Sequence, residues 1–255
     1  MILSILLSFI ISQIIIGYSF IFKKLIYLKK KNTIIVKNED FIYGVFFLTF
    51  ISIFSNFFLP LFKITIITLI IGLFFFIFCV VKKIIKLNFF YLFLIISFFV
   101  FISHNQGINY DAQYYHLQII KLNTEYKSIF GIINLEDRYG MNSSLHSLIS
   151  LFNLTIYGYN TIYLFSIILL SFVINQLFST NENLKKSSSI FLSFSLFFIF
   201  IYSFFHPFGN GTILNNIGSP EVDITAAFFF IYTFYLFLKY DEKKQENLIN
   251  IIILI

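Results

Sequence analysis

Long apolar runs without a charged residue alternate with short polar segments along this chain. They occupy residues 1–22, 41–62, 64–81, 87–103, 160–178, 190–206 and 224–238, and another begins at 248. Runs of about 17 to 25 apolar residues are typical of helices that cross a bilayer. The pattern predicts an all-α fold, a polytopic transmembrane helix bundle in which residues 1–255 form a single domain.

Two places in the pattern predict how the runs connect and end. The turn between the second and third runs, around Pro60 and Lys63, is so short that it predicts a tight helical hairpin. The run that begins at 248 is still too short at Ile255 to cross a hydrocarbon core of roughly 30 Å. This predicts that the chain is truncated or is a fragment of a longer protein.

Composition excludes the soluble classes. Hydrophobic residues make up 58% of the chain and charged residues 12%, whereas soluble domains carry about 25% charged residues. Soluble enzymes and nucleic-acid-binding proteins are excluded on this ground. One cysteine, Cys79, lies in an apolar run and allows neither an intrachain disulfide nor a cysteine metal site.

The lysines predict the orientation of the helices. Basic residues concentrate in cytoplasmic loops, and one topology places 14 of the 18 basic residues inside, leaving only Lys63, Lys121, Lys127 and Arg138 outside. The two large loops, 104–158 and 207–223, then share the outer face, and the net charge of +6 reflects cytoplasmic anchoring.

The first outer loop is predicted to fold into short juxtamembrane helices. Asn109 or Asp111 can cap a helix that begins near 112, in which apolar and polar residues alternate at helical spacing. Asn142 can cap a later helix that is apolar on one side. In the second outer loop, Glu221 and Asp223 flank the start of a span, where they bind substrate or merely favour the helix N-terminus.

Candidate chemistry concentrates in the first loop. Asp111 lies close to the end of a span, where a carboxylate can act as general base or serve only as a helix cap. Arg138 is the only arginine of a lysine-rich chain, and its guanidinium can bind phosphate or pair with a neighbouring carboxylate. Lys121 and Lys127 can add positive charge near a lipid phosphate or extend their ammonium groups to the interface.

The histidines give a weaker signal. On one helix, His116 and Asp111 would point apart by about 140°, so they are not an obvious dyad. His146 and His206 can bind substrate or be satisfied interfacial histidines, and the chain has no HxxxH pair. No metal site and no cofactor are therefore predicted.

The loop resembles a family. Its motifs resemble those of an uncharacterised bacterial branch related to GT-C-type glycosyltransferases. The matching residues are Asp111, Tyr115, His116, Leu117 and Gln118, then Asn134, Leu135 and Arg138, then Asn142, Ser143 and Ser144, and later Ser219, Pro220 and Asp223. The resemblance covers roughly 104–225. The chain departs from the simplest members of that family in three ways: at least three spans precede the loop, the usual C-terminal half is absent, and no Asp-x-Asp motif occurs.

The resemblance implies a multi-pass protein of the bacterial inner membrane. It implies that Asp111 is the catalytic acidic residue, acting on a sugar carried by polyprenyl phosphate at the outer face. The substrate-binding residues would be Arg138, His116, Lys121, Tyr115, Asn142, Glu221 and Asp223. Alternatives are a polysaccharide transporter or polymerase-type membrane protein without transferase activity, or an inactive fragment.

Topology gives the first testable prediction. A periplasm-active reporter fused after Ile108 is expected to be active, and the same reporter fused after Ser188 inactive, because basic loops stay inside. Reporter activity in intact cells measures this. Activity only at Ser188 would reverse the orientation.

Overall fold

The computed structural model describes residues 1–27, 34–104, 112–134, 137–140, 143–153, 164–176, 193–195, 197 and 222–239. These residues are mostly helical: α1 (Ile2–Ile26), α2 (Phe41–Phe58), α3 (Phe62–Val81), α4 (Phe89–His104), α5 (Leu117–Glu125), α6 (Ser144–Leu151), α7 (Leu164–Asn175) and α8 (Val222–Lys239). The stretches Ile2–Ile26, Asn38–Phe58 and Phe62–Val81 are long and apolar enough to cross a membrane. The predictions of a helical fold and of membrane-length apolar helices are confirmed to that extent.

Helix α1 packs against both α2 and α3 through glycines. A Cβ atom on Gly17 would clash with the backbone of Gly72 in α3, and one on Gly44 in α2 would clash with the carbonyl of Ile15. Small residues let apolar helices approach closely, so that van der Waals contacts hold them together. The Tyr18 hydroxyl adds a hydrogen bond to the Thr68 carbonyl at 3.1 Å.

The predicted helical hairpin is present, but its two helices pack against α1 rather than against each other. Only Leu59–Leu61 separates α2 from α3, as the short turn at Pro60 predicted. The two helices contact α1 far more than they contact each other. The hairpin therefore serves to place its two helices on α1.

Two short strands join the loops at the other end of these helices, a feature that the all-α prediction missed. Strand β1 (Val36–Lys37) pairs in parallel with β2 (Ile85–Lys86). The pairing places Lys37 opposite Lys86, which hydropathy alone cannot reveal. We call this end of the helices the basic end, and the end at which α2 passes into α3 the loop end.

Helices α7 and α8 pack against each other, and α7 also contacts α1 and α4. Helix α7 is buried along nearly its whole length, and its Phe172 stacks on Phe41 of α2 with ring centroids 4.9 Å apart. The Ser166 and Thr225 hydroxyls meet at 3.2 Å and join α7 to α8. The predicted spans at 190–206 and after 248 lie almost wholly outside the described residues.

The glycine contacts generate a stability prediction. Gly17→Leu is expected to destabilise the protein by about 1–3 kcal/mol or more, because the added side chain must separate two backbones. Val80→Leu, at a site that is 47% exposed, is the control and should leave the melting temperature unchanged. Thermal unfolding in detergent, followed by circular dichroism, measures both. Equal melting temperatures for the two variants would contradict the packing.

Candidate functional site

The first loop forms short helices, as predicted. The residues Ala112–His116 form a π-helical turn that continues into α5, and α6 follows a segment with two 3₁₀ turns, Ile132–Asn134 and Asp137–Gly140. No strand occurs in the described part of this loop. Single π-helical turns are frequent at functional sites, so the turn before α5 indicates a candidate site.

Helix α6 is capped by Ser143. The Ser143 Oγ accepts a hydrogen bond from the backbone N–H of Leu145 at 3.1 Å, and the Ser143 N–H donates to Nδ1 of His146 at 3.3 Å. Ser143, and not the predicted Asn142, is thus the N-cap residue. Asn142, Ser143 and Ser144 are adjacent and all of them are good N-cap residues, so the sequence pattern alone cannot choose among them. Asn142 itself lies outside the described residues.

Two histidines meet between α5 and α6. The Nδ1 atom of His116 lies 2.8 Å from Nε2 of His146, and the two residues are 7% and 0% exposed. The Tyr115 ring packs on His116 with centroids 4.0 Å apart. The burial of the His116 ring is compensated by its hydrogen-bonding partner on α6.

The hydrogen bonds assign the tautomers of this pair. Since Nδ1 of His146 accepts from the Ser143 N–H, its proton is on Nε2. Nε2 of His146 then donates to Nδ1 of His116, which leaves the proton of neutral His116 on its own Nε2. The Nε2–H of His116 is therefore the donor at the far end of this hydrogen-bonded chain.

Further polar side chains extend this contact along both helices. The Ser150 hydroxyl reaches the Ile120 carbonyl at 3.1 Å, and the Asn153 amide donates to the Thr124 hydroxyl at 3.1 Å. We call His116, Thr124, His146, Ser150 and Asn153 the polar α5–α6 interface. Hydrogen bonds between buried polar groups specify geometry, so this interface fixes one helix against the other.

Asn56 anchors α5 to the hairpin. Its side-chain amide donates to the carbonyls of Asn123 and Tyr126 at 2.9 and 3.1 Å, and its Oδ1 accepts from the Ser128 hydroxyl at 2.8 Å. The backbone N–H of Leu61 also donates to the Asn123 carbonyl. These bonds hold the segment after α5 on the tip of the hairpin.

Two concave surfaces adjoin at this segment. A pocket is lined by Ile119, Leu122, Asn123, Lys127, Ser128, Ile129, Ile132 and Tyr139. A mostly apolar groove is lined by Pro60, Glu125, Tyr126, Lys127, Ser128, Ile129 and Phe130. Lys127, Ser128 and Ile129 line both, so a ligand lying in the groove would reach the pocket beside Lys127.

Apolar side chains surround the groove. Phe130 is 86% exposed, and its ring stacks on Phe57 at a centroid distance of 6.5 Å. Phe58, Tyr126 and Ile129 are exposed as well. These exposed apolar side chains, beside the ends of helices long enough to cross a membrane, give the groove an apolar rim.

The remaining predicted site residues are placed only in part. Asp111 and Glu221 lie outside the described residues. Arg138 belongs to the turn Asp137–Gly140 and Asp223 to the first turn of α8, but the side chains of these two residues are not described. Lys121 is exposed on α5 and lines neither the pocket nor the groove. Among the described residues, no cluster of three His, Cys, Asp or Glu side chains could hold a metal ion.

Lys127 and His146 were weighed as candidates but are missing from the predicted set of substrate-binding residues, whereas the structure places Lys127 at the pocket and His146 in the polar α5–α6 interface. The repeated spacing of polar residues in HLQIIKLNT and HSLISLFN was the available signal for the polar α5–α6 interface. Polar residues at i and i+4, or at i and i+7 or i+8, share one helix face. The sequence pattern could not show that Lys127, and not Lys121, lines the pocket, because this depends on where α5 ends.

These features define a mostly helical protein with helices long enough to cross a membrane and a polar site at one end. The family described as "Domain of unknown function (DUF8201)" matches residues 1–255, and the chain belongs to that family. No curated protein and no solved structure matches the chain.

A double-mutant cycle tests the histidine pair. His116→Ala, His146→Ala and the double variant are expected to show a coupling energy of about 0.5–3 kcal/mol, because either single change already removes the shared hydrogen bond. Unfolding by denaturant in detergent measures it. The pair His104→Ala and His146→Ala serves as control, since His104 is exposed. Additive effects in the first cycle would contradict the pair.

Proposed function

We propose that the protein is a membrane glycosyltransferase that uses a sugar carried on polyprenyl phosphate at the loop end. The observation that carries the proposal is the apolar groove that adjoins a polar pocket at Lys127. An amphiphile with a long apolar chain and an anionic head requires these two surfaces side by side. The groove would take the polyprenyl chain, and the pocket its phosphate.

Positive charge near the pocket supports the choice of a phosphate. Lys127 lines the pocket directly, and so does Tyr139, the neighbour of Arg138 in the turn Asp137–Gly140. A lysine acts on phosphate as a point charge, whereas a guanidinium binds it in bidentate fashion. Both would stabilise the phosphate as it leaves the sugar.

Asp111 would be the general base. It immediately precedes the turn Ala112–His116, which ends at the histidine pair. In the proposed step, an acceptor hydroxyl attacks the anomeric carbon, Asp111 takes the hydroxyl proton, and the bond from that carbon to the phosphate oxygen breaks. The released product is the polyprenyl phosphate.

The other predicted residues would orient sugar or acceptor. His116 and Tyr115 are held beside each other by the polar α5–α6 interface, so the Nε2–H of His116 has a fixed direction. Such preorganisation favours transfer, because it removes orientational freedom before the reaction. Asn142, Glu221, Asp223 and Lys121 complete the proposed set.

A transporter is the second candidate, and one observation favours it. Lys23, Glu39 and Asp40 are buried between helices at the basic end, and transport proteins use buried charges of this kind. The loop-end site favours the transferase, because its polar groups surround concave surfaces near the predicted interface. Transport of a polysaccharide would not require the donor lipid to be consumed.

Kinetics with full-length protein in membranes test the transferase. With a labelled sugar supplied as its polyprenyl phosphate, Asp111→Asn is expected to abolish transfer to endogenous acceptors while leaving the protein inserted. Lys127→Gln is expected to raise the KM for the donor about tenfold, because one phosphate contact is lost. Incorporated label is measured against donor concentration.

Lys63→Gln is the matched control, since Lys63 is exposed on the same face but lines neither concave surface. Its KM should equal that of the wild type. Unchanged transfer by Asp111→Asn would remove Asp111 from the mechanism. Equal KM values for Lys127→Gln and the control would remove the pocket from donor binding.

A further inference from the structure

A turn rich in lysine follows α3 at the basic end. Lys82, Lys83 and Lys86, which we call the lysine turn, are all exposed. None of the three forms an ion pair within the part of the chain that the structure describes. The turn lies at the other end of α3 from the groove and the pocket, so its role is independent of the proposed glycosyl transfer.

Hydrogen bonds fix the backbone of the lysine turn. The Lys83 N–H donates to the Val80 carbonyl at 2.9 Å. The Ile84 N–H donates to the Cys79 carbonyl at 3.1 Å, and the Ile84 carbonyl accepts from the Val36 N–H at 2.9 Å. The first two bonds form a Schellman motif at the end of α3, and the third ties the turn to β1. The backbone that carries the lysines is therefore held in one conformation.

Lys83 adopts a conformation that favours glycine. Its φ is 54°, in the left-handed region where a Cβ atom is strained. A Schellman motif commonly has glycine at this position, and glycine would allow the same backbone hydrogen bonds. Basic residues anywhere near a span are sufficient to orient it, so orientation does not require a lysine at a strained position. Strained residues cluster at sites that bind ligands, which indicates a role for the Lys83 side chain.

An exposed apolar face of α3 leads to the lysine turn. A series of apolar side chains, at intervals of three or four residues and each more than half exposed, runs along the helix: Ile66, Ile70, Phe74, Ile77 and Val81. Residues at this spacing share one side of a helix. The series spans about 22 Å, which exceeds one leaflet of a hydrocarbon core of roughly 30 Å. The lysine turn begins at the next residue.

We propose that the lysine turn and this apolar face of α3 together bind an anionic phospholipid of the membrane. The apolar face would contact the acyl chains, and the ammonium groups would contact the phosphate-bearing headgroup. Three positive charges without an acidic partner among the described residues complement a headgroup with net negative charge. Each lysine near an anionic membrane surface contributes about a fivefold gain in affinity.

The lysines favour a lipid over a helix of a second copy on the same face. A second copy packed symmetrically in the same membrane would place its own lysine turn at the same depth, where like charges repel. A soluble anion would leave the apolar face without a partner. The three ammonium groups need not converge on one point, because neighbouring headgroups each carry a phosphate.

Binding of labelled lipid to the purified full chain tests the proposal. Fluorescent phosphatidylglycerol is titrated in mixed micelles of neutral detergent and phosphatidylcholine, and its anisotropy measures the bound fraction. The wild type is expected to saturate with phosphatidylglycerol and not with phosphatidylcholine that carries the same label. Lys83→Gln should raise the half-saturating mole fraction of phosphatidylglycerol about fivefold, and the combined change of all three lysines to Gln about a hundredfold.

Three further variants separate binding from structure. Lys83→Gly removes the charge and the strained Cβ together, so it should weaken lipid binding as much as Lys83→Gln does and yet raise the melting temperature. Lys83→Arg keeps the charge and should bind like the wild type. Lys63→Gln is the matched control, because Lys63 is an exposed lysine at the other end of α3, and it should retain the half-saturating mole fraction of the wild type.

The same titrations can overturn the proposal. Equal affinity of the wild type for the two labelled lipids would do so, as would equal affinities of Lys83→Gln and Lys63→Gln. Release of the labelled lipid by inorganic phosphate, but not by chloride of equal ionic strength, would assign the lysines to a soluble anion instead. Release that accompanies dimerisation, measured by light scattering at rising protein concentration, would assign the face of α3 to a second copy.

Discussion

The close approach of α1 to its neighbours is the contact on which the rest of the structure depends. Gly17 and Gly72 bring the backbones of α1 and α3 together, and Gly44 does the same for α1 and α2. Apolar side chains gain little from leaving lipid for a protein interior, so shape and close packing must supply the attraction between helices. A larger residue at these glycines would move the hairpin, and with it the tip on which the site is built.

The site depends on the hairpin through Asn56. Its side chain bonds to the backbone at Asn123 and Tyr126 and to the Ser128 hydroxyl, so the end of α5 follows the position of α2. The polar α5–α6 interface then places α6 relative to α5. Lys127 lines the pocket because this order of contacts fixes the residues immediately after α5, whereas Lys121 lies on the exposed side of the same helix.

Hydropathy predicts the helices because a chain in lipid must satisfy its backbone hydrogen bonds internally. The apolar runs, the turn at Pro60 and the helical first loop follow from that constraint. The pairing of His116 with His146 and the strands at Val36 and Ile85 do not follow from it, because each depends on residues distant in sequence. The choice of Ser143 over Asn142 as N-cap depends on where α6 begins, and propensity does not distinguish the two.

The buried polar groups described above form two separate regions along the helix axes. At the loop end, polar side chains line concave surfaces beside exposed aromatic residues, where we propose that an amphiphilic substrate binds. At the basic end, Asp40 and Lys23 form a buried ion pair. A translocation path would need polar groups that continue between the two regions. The middle of the α1–α3 contact instead consists of glycine backbone and apolar side chains, apart from local hydroxyl bonds such as that of Tyr18. In the described residues, an apolar contact along α1 thus lies between the two polar regions, which disfavours the passage of a solute along this helix.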